Sequence, residues 1–324
     1  MKLFIIFFSF FILYSCIEST NNESDSIGKS SSDYIISETS LIILGTVQDA
    51  GSPHIACKKD CCKELFANGD KSRKVVSLGL IDPENKKTYL IEATPDIATQ
   101  LKILKKYSPF NMKETSDGIF LTHAHIGHYT GLMYFGKEAM NANLVPVYTM
   151  PKMKSFLKEN GPWGQLVSGN NIKLMEISDG KEISLSTNIR IIPFRVPHRD
   201  EYSETVGYTV VGPHKRILFI PDIDKWEKWE TNIIEAISGV DYAFIDGTFY
   251  DGDEINKRDI SEIPHPFIIE SMSLFKELPS EEKRKIYFIH FNHTNPALRP
   301  ESKQAKRILK NGFNIASILD VIKL

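Results

Sequence analysis

Net charge is nearly absent from this chain, and a long apolar run occurs only at its N-terminus. The 324 residues contain 39 lysines and arginines against 41 aspartates and glutamates, which gives a formal net charge of −2. The chain therefore lacks the basic excess of a nucleic-acid-binding protein, and no nucleic acid is expected as a partner. Because no second long apolar run follows, the rest of the chain is expected to form one soluble domain, and an apolar content of 42% is enough for its core.

The N-terminus has the pattern of a bacterial lipoprotein signal. An apolar run over residues 3–13 is too short to span a bilayer comfortably as a helix. It ends in Leu13-Tyr14-Ser15-Cys16, which is similar to a lipobox. Residues 1–15 are thus predicted to be a cleaved signal peptide. Cys16 is predicted to carry the lipid that anchors an exported, periplasmic or cell-surface protein to a membrane. The alternative is an ordinary secretory signal with an incidental cysteine, and it also predicts export.

The remaining sequence divides into a tether and a domain. Residues 16–40 are rich in serine, asparagine and glutamate, which predicts a flexible tether, and residues 41–324 are predicted to be the folded domain. Strands are predicted over 41–47, 75–81, 88–92, 118–122, 145–149, 172–177, 181–185, 189–196, 205–211, 215–220, 241–245, 286–290 and 313–318. Helices are predicted over 96–107, 129–141, 151–159, 224–238, 266–277 and 301–311.

Three histidines within six residues are the most informative feature of the chain. The segment Thr122-His123-Ala124-His125-Ile126-Gly127-His128 directly follows an apolar run that predicts a buried strand. A single histidine on an apolar face is usually a packed core residue, but packing does not explain three of them at a strand end. Neutral imidazole is the commonest side chain that binds zinc and similar ions. The segment therefore predicts a metal site.

Three more polar residues each follow a later apolar run. Residues 189–197 lead to His198, residues 216–221 to Asp222, and residues 285–289 to His290. Polar residues at strand ends are common, so each is weak evidence by itself. Together with the histidine segment they are stronger evidence, and His198, Asp222 and His290 are candidates for further metal ligands.

The histidine segment resembles the T-H-x-H-x-D-H motif of metallo-β-lactamase-fold hydrolases, with Gly127 in place of the usual aspartate. This resemblance implies an α+β fold, the αββα sandwich, in which two mixed sheets pack face to face with helices outside. It also implies the ligand sets. His123, His125 and His198 would hold a first metal ion, and His128 and His290 a second, with Asp222 bridging the two.

Within that superfamily, the chain resembles two branches. One is the pyrroloquinoline quinone biosynthesis protein B (PqqB) family, and the other is the phosphoribosyl cyclic phosphodiesterases of phosphonate breakdown. The likeness rests on residues 44–51, on the cysteines after them, on Gly131-Leu132 and on Asp246-Gly247-Thr248-Phe249, and it covers most of the chain from about Leu41. PqqB-like members typically lack parts of the histidine motif, whereas this chain keeps three of its four ligands.

The implied chemistry is metal-dependent hydrolysis. A bound divalent cation lowers the pKa of its water from about 15.7 toward roughly 7. Zinc is the expected metal, with one or two ions in the active site, and iron or manganese is the alternative because histidine and carboxylate ligands suit them as well. Replacement of the usual aspartate by Gly127 removes one ligand of the second ion. A weaker or less occupied second site is the direct expectation. The sequence leaves open whether the enzyme holds a single ion or recruits another ligand.

Three cysteines lie close together after the N-terminal segment. They are Cys57, Cys61 and Cys62, and an odd number of cysteines cannot all form disulfides with one another. A disulfide between the adjacent Cys61 and Cys62 would also be strained. Three thiolates and one histidine make a closed, structural zinc site. The resemblance to the phosphodiesterases implies a histidine three residues after the last active-site histidine, which is His293 here. His54 is the alternative fourth ligand.

Further residues are candidates for acid–base chemistry and substrate binding. The catalytic candidates are Asp222 and His265, which lies in Ile263-Pro264-His265-Pro266. His265 is a candidate for giving a proton to a leaving group, and a structural loop histidine is the alternative. Asp246 is expected to orient a histidine. Arg199, next to His198, is a candidate for holding a carboxylate or phosphate of a small-molecule substrate, although the sequence favours a surface loop there.

Three functions are compatible with these residues. The first is an exported, metal-dependent hydrolase of a small ester, lactone or phosphodiester. The second is an oxidative, PqqB-like enzyme of quinone-cofactor (PQQ) biosynthesis with redox-active iron. The third is a non-catalytic lipoprotein that binds a metal or cofactor. The nearly complete ligand set favours the first.

Overall fold

The computed structural model describes residues 28–29, 35–255 and 259–324. The predicted signal peptide, Cys16 and much of the predicted tether lie outside these residues. The division into signal, tether and domain therefore stays a prediction, although Ile36, just before the predicted domain, is already buried. Within the described ranges, no helix has the length and apolar character needed to cross a membrane.

Runs of β-branched and aromatic residues form fifteen strands in the described part of the chain. They are β1 (Gly28–Lys29), β2 (Ser40–Gly45), β3 (Ser77–Asp82), β4 (Lys87–Ile91), β5 (Gly118–Phe120), β6 (Val145–Thr149), β7 (Ile172–Glu176), β8 (Ile183–Ser184), β9 (Arg190–Arg195), β10 (Val206–Val211), β11 (Arg216–Ile220), β12 (Tyr242–Asp246), β13 (Ile286–Ile289), β14 (Asn314–Ile315) and β15 (Asp320–Lys323).

The strands build two mixed sheets. The first has the order β1-β15-β2-β3-β4-β5-β6-β7 and the second the order β14-β13-β12-β11-β10-β9-β8. Strands β4 to β7 are parallel to one another, as are β11 to β14, and the other neighbours are antiparallel. Parallel strands end at the same edge of their sheet, so residues that follow them are brought together there.

Helices cover the outer face of each sheet. They are α1 (Asp60–Ala67), α2 (Ile97–Tyr107), α3 (Ile126–Tyr129), α4 (Pro151–Glu159), α5 (Trp163–Ser168), α6 (Ile233–Ser238), α7 (Ile268–Leu274), α8 (Ser280–Lys283) and α9 (Lys303–Lys310). In α2, Ile97, Leu101 and Leu104 recur at helical spacing and are buried against the first sheet.

Three apolar layers hold these elements together. One lies between the sheets and joins Phe120 of the first to Phe219 and Phe244 of the second. The other two lie between each sheet and its helices. The predicted αββα sandwich of two mixed sheets is confirmed.

One long predicted helix is interrupted in the structure. The segment 224–238 contains a 3-10 turn at Trp226–Lys228 and the separate helix α6. Asn232 separates the two because its side chain accepts a hydrogen bond of 2.9 Å from the backbone N–H of Ile234. Asparagine is favoured at such helix N-caps and disfavoured inside helices, so a new helix begins there.

The predicted strand 313–318 is also wrong in extent. Only β14 forms there, at the edge of the second sheet, and the chain then crosses to the first sheet as β15. Leu319, just before β15, has a φ of +70°, in the left-handed region, and lies in the turn that leads into β15.

Candidate active site

The predicted metal ligands meet at one edge of the sandwich. His123, His198, Asp222 and His290 follow β5, β9, β11 and β13, and His125 and His128 lie at and within α3. Their ligand atoms form two groups, and within each group all atoms lie within 4.8 Å of one another. The first group is His123, His125, His198 and Asp222, and the second is Asp49, His128, Asp222 and His290. The structure thus brings every predicted active-site ligand into place and adds Asp49.

Asp222 lies at the centre and belongs to both groups. Its Oδ2 is 3.2 Å from Nε2 of His128, 3.3 Å from Nε2 of His290 and 3.4 Å from Nε2 of His123. Its Oδ1 is 3.5 Å from Nε2 of His198. Burial disfavours its charge, but the surrounding histidines outweigh burial and hold the pKa of Asp222 well below its usual range. The carboxylate is therefore ionised and faces both groups.

A threonine and a carboxylate fix the tautomer of His123. The hydroxyl of Thr122 donates to Oε1 of the Glu92 carboxylate at 2.6 Å and lies 2.8 Å from Nδ1 of His123. Since the hydroxyl has a single proton, it accepts a hydrogen bond from Nδ1–H of His123. Nε2 of His123 then carries the lone pair, and it lies 2.8 Å from Nδ1 of His125 and 3.4 Å from Oδ2 of Asp222.

The same arrangement recurs at His290. The hydroxyl of Thr248 donates to Oδ1 of Asp246 at 2.7 Å and lies 2.9 Å from Nδ1 of His290. Nδ1 of His290 therefore carries the proton, and Nε2 presents its lone pair to Asp222. Hydrogen bonds of this kind are the ones that orient metal-binding histidines.

The atoms that face the centre suit divalent cations. Several buried atoms there have no hydrogen-bond partner, namely Asp49 Oδ1, both ring nitrogens of His128 and of His198, Asp222 Oδ1 and His290 Nε2. Buried polar atoms without partners are costly unless something else satisfies them. Burial holds the pKa of His123 well below its usual value and lowers that of His198 to about 4, so both rings are neutral. Neutral imidazoles and carboxylates are the donors that zinc and iron prefer.

Two residues of the site were not identified from the sequence. Glu92 is fully buried, and its Oε1 lies 3.2 Å from Nδ1 of His128. It follows β4 directly, as the other ligands follow their strands, so the same pattern could have found it. Asp49 lies in the loop after β2 and has no such signal.

Two residues at this edge have a strained backbone conformation. His290 has a φ of +65° and Glu92 a φ of +77°, in the left-handed region that non-glycine residues rarely adopt. Both residues are fully buried, so the surrounding structure holds them in place. Strain of this kind is characteristic of functional sites.

His265 lies beside the metal ligands, as the sequence predicted. Its Nδ1 is 2.8 Å from Oδ2 of Asp246 and 3.3 Å from Oδ1 of Asp222. Burial by itself would lower the pKa of His265. The carboxylates of Asp246 and Asp222 outweigh this effect and raise the pKa of His265. A protonated imidazole at this position is suited to give a proton to a leaving group.

The three cysteines and His293 form a second cluster. Their ligand atoms also lie within 4.8 Å of one another. The Sγ atoms of Cys57 and Cys61 are 3.7 Å apart and those of Cys61 and Cys62 3.9 Å apart, so all three thiols are free. Burial and the neighbouring thiols raise the pKa of Cys61 to about 12, so a bound cation would have to displace its proton.

His54 plays a different part in this cluster. Its ring stacks on that of His293 with centroids 4.5 Å apart, and its Nδ1 accepts from the backbone N–H of Ala56. Its own backbone N–H donates to Sγ of Cys62 at 3.3 Å. The ring of His293, the predicted fourth ligand, therefore lies with the three cysteine sulfurs, and His54 lies beside this group.

A cleft of about 550 Å³ opens beside the first ligand group. His125 and Asp49 line it from the metal side, and its wall is aromatic, formed by Tyr129, Phe156, Trp163 and Tyr202. The exposed Arg199 also lines it and has no ion-pair partner among the described residues. Arg199, the candidate substrate-binding residue, thus lies at the cleft.

The fold and the two ligand groups define a class of protein. The family model of the beta-lactamase superfamily domain matches residues 87–291, which is more than half of the chain. The chain belongs to this family, as its histidine motif indicated.

Individual relatives resemble this chain over most of its length. Coenzyme PQQ synthesis protein B of Methylorubrum extorquens (strain PA1) is 22% identical over 297 residues, which cover 85% of this chain and 97% of the relative. The protein of the same name from Gluconobacter oxydans (strain 621H) is 23% identical over 295 residues, covering 85% and 95%.

Solved structures give the same picture. Zinc-bound PqqB from Methylobacterium extorquens aligns with a TM-score of 0.73 at 20% identity, over 88% of this chain and 100% of that one. A diphosphatase of the PhnP family aligns with a TM-score of 0.62 at 20% identity, over 88% and 96%. The predicted resemblance to PqqB is confirmed by sequence and structure, and a PhnP-family diphosphatase is among the relatives.

Proposed function

We infer that this chain is a metal-dependent hydrolase of a small ester, lactone or phosphodiester. The observation that carries the proposal is the pair of ligand groups that share the buried, ionised Asp222 beside an open cleft. A divalent cation at such a site activates water near neutral pH and polarises the scissile oxygen. Membership of the beta-lactamase superfamily supports hydrolysis, and the zinc-bound PqqB structure supports zinc as the metal.

The side chains have separate parts in this proposal. His123, His125 and His198 would hold one ion and His128 and His290 another, with Asp222 between them. Thr122 and Thr248 keep the rings of His123 and His290 oriented, as described above. His265 gives a proton to the leaving group, and Arg199 holds an anionic group of the substrate. The aromatic wall of the cleft suits a substrate that also has an apolar part.

Arg199→Ala is the variant that tests the substrate class. Wild type is expected to hydrolyse a chromogenic phosphodiester, and to lose that activity when a chelator removes its metal. In the variant, KM for the phosphodiester should rise roughly 10- to 100-fold, because a hydrogen bond to a charged group is worth about 1.5–3 kcal/mol. KM for a neutral chromogenic ester should be unchanged.

Arg195→Ala is the matched control, since Arg195 is exposed four residues away and lines a different surface pocket. It should leave both KM values unchanged. Absence of any metal-dependent hydrolysis by wild type across such substrates would contradict the proposed function.

His265→Gln is expected to lower kcat by about 100-fold or more, the usual contribution of a general acid. The loss should be large for an alkyl leaving group, which needs a proton, and small for p-nitrophenolate, which leaves without one. Metal content should not change. His214→Gln, at an exposed turn, is the control. Equal losses for both leaving groups would show that His265 only supports the structure.

A role in PQQ synthesis is the second candidate. The similarity to coenzyme PQQ synthesis protein B over 85% of the chain favours it. The two candidates differ in the metal, since the oxidative role would need redox-active iron in the histidine site, whereas zinc suits hydrolysis. Iron bound by the histidines would favour the second candidate.

The proposed setting is outside the cytoplasm, with the enzyme attached to a membrane through a lipid on Cys16. This part of the proposal is supported by the N-terminal sequence pattern alone, because Cys16 lies outside the described residues.

A further inference from the structure

The space beside Gly127 is already filled by another part of the chain. A Cβ atom built on Gly127 would overlap the Cα and Oδ1 atoms of Asp49, and it would lie only 3.0 Å from the Cβ atom of Asp49. The Cα atom of Asp49 belongs to the backbone, so it cannot move aside as the end of a flexible side chain could. Any side chain at position 127 is therefore incompatible with Asp49 in its present place.

The backbone holds Asp49 at this position. Residues 46 and 48 pair with the segment after β13, where the N–H of Phe291 donates to the carbonyl of Thr46 and the N–H of Gln48 donates to the carbonyl of Phe291, both at 2.8 Å. Phe291 directly follows the ligand His290. These backbone hydrogen bonds therefore fix the loop after β2 beside the second ligand group, independently of the side chains in that loop.

The carboxylate of Asp49 points into the second group. Its Oδ1 is 2.9 Å from Nε2 of His128, yet neither atom has a hydrogen-bond partner of acceptable geometry. The side chain of Asp49 is 17% exposed, and Oδ1 itself is buried. A buried carboxylate oxygen and a ring nitrogen that face each other without a hydrogen bond are arranged as two ligands of one cation.

We propose that Asp49 supplies the carboxylate ligand of the second metal ion, in place of the aspartate that Gly127 replaces in the histidine motif. Gly127 is then required because only glycine leaves room for Asp49. The second site is complete, with Asp49, His128, Asp222 and His290 as its ligands. The inference rests on the proposed function, since both concern one metal centre, but it is tested by metal binding rather than by turnover.

The experiment is metal analysis and zinc titration of the full chain and its variants. Wild type should hold two equivalents in the active site. Asp49→Asn should lose one of them, with a Kd for the second ion raised by at least about 100-fold, the upper range for residues that only support a ligand. Asp179→Asn, an exposed carboxylate outside the site, is the matched control and should bind as wild type does.

The role of Gly127 is tested by two further variants. Gly127→Ala should weaken the second ion although it removes no ligand, whereas Gly69→Ala, where an added Cβ meets nothing within 4 Å, should not.

Unchanged zinc content and Kd in Asp49→Asn would overturn the assignment. Unchanged binding of the second ion in Gly127→Ala would overturn the requirement for glycine at position 127. Loss of one ion in Asp49→Asn without hydrolysis by any protein of the series would uphold this inference while contradicting the proposed function.

Discussion

Replacing Asp222 by asparagine is expected to remove both metal ions from the active site and to abolish hydrolysis. Asp222 belongs to both ligand groups. Among the residues that the structure describes, it is the one anion within about 3.5 Å of His123, His128, His198 and His290 together. Stabilisation of charge by a metal ion is worth several kcal/mol, so kcat/KM should fall by roughly 1,000-fold or more. Elemental analysis should show that both active-site equivalents are lost and that the cysteine-bound zinc remains.

The control for this variant is Asp179→Asn, which removes the charge of an exposed aspartate that accepts a hydrogen bond from the Arg195 backbone. It should keep all metal and full activity. If Asp222→Asn kept both ions, the bridging role would be wrong. If it lost both ions and kept its activity, catalysis would not depend on this centre.

Replacement of Cys62 by serine, or of His293 by alanine, is expected to remove one zinc ion and to lower thermal stability with little effect on the active-site ions. A ligand present at about 1,000 times its Kd stabilises the folded state by about 4 kcal/mol. For a domain of this size, that loss corresponds to a Tm lower by roughly 10 °C. Calorimetry and elemental analysis measure the two effects.

His54→Ala is the matched control because His54 stacks on His293 and its backbone, not its ring, contacts Cys62. It should keep the zinc ion and most of the stability. A zinc ion lost in His54→Ala and kept in His293→Ala would reverse the assignment of the fourth ligand. Unchanged zinc in the Cys62→Ser variant would contradict a structural site.

The ligands at strand ends could be predicted because their signal is local. An apolar run of strand length followed at once by histidine or aspartate is visible within about ten residues, and His123, His198, Asp222 and His290 all have this signal. Glu92 has it too, since it follows β4 directly, so the same signal could have identified it. The sandwich was predicted from the resemblance of the histidine segment to the metallo-β-lactamase motif, because the order of elements alone indicates only a mixed α and β fold.

Asp49 could not be predicted because its position depends on contacts between distant segments. Its placement follows from the pairing of residues 46–48 with Phe291, more than two hundred residues away, and no local pattern reports that pairing. The sequence showed that Gly127 removes a carboxylate but not which residue occupies the space. Some predicted ends of helices and strands were wrong for local reasons. At Asn232, a capping side chain starts a new helix inside a continuous apolar pattern.

The most direct test of this account is anomalous diffraction from crystals of the protein, measured at the zinc and iron absorption edges. We expect three zinc peaks. One lies among His123, His125, His198 and Asp222, one among Asp49, His128, Asp222 and His290, and one among Cys57, Cys61, Cys62 and His293. A map without a peak at either histidine group would contradict the proposed metal-dependent hydrolase, and an iron peak there would favour the oxidative function instead.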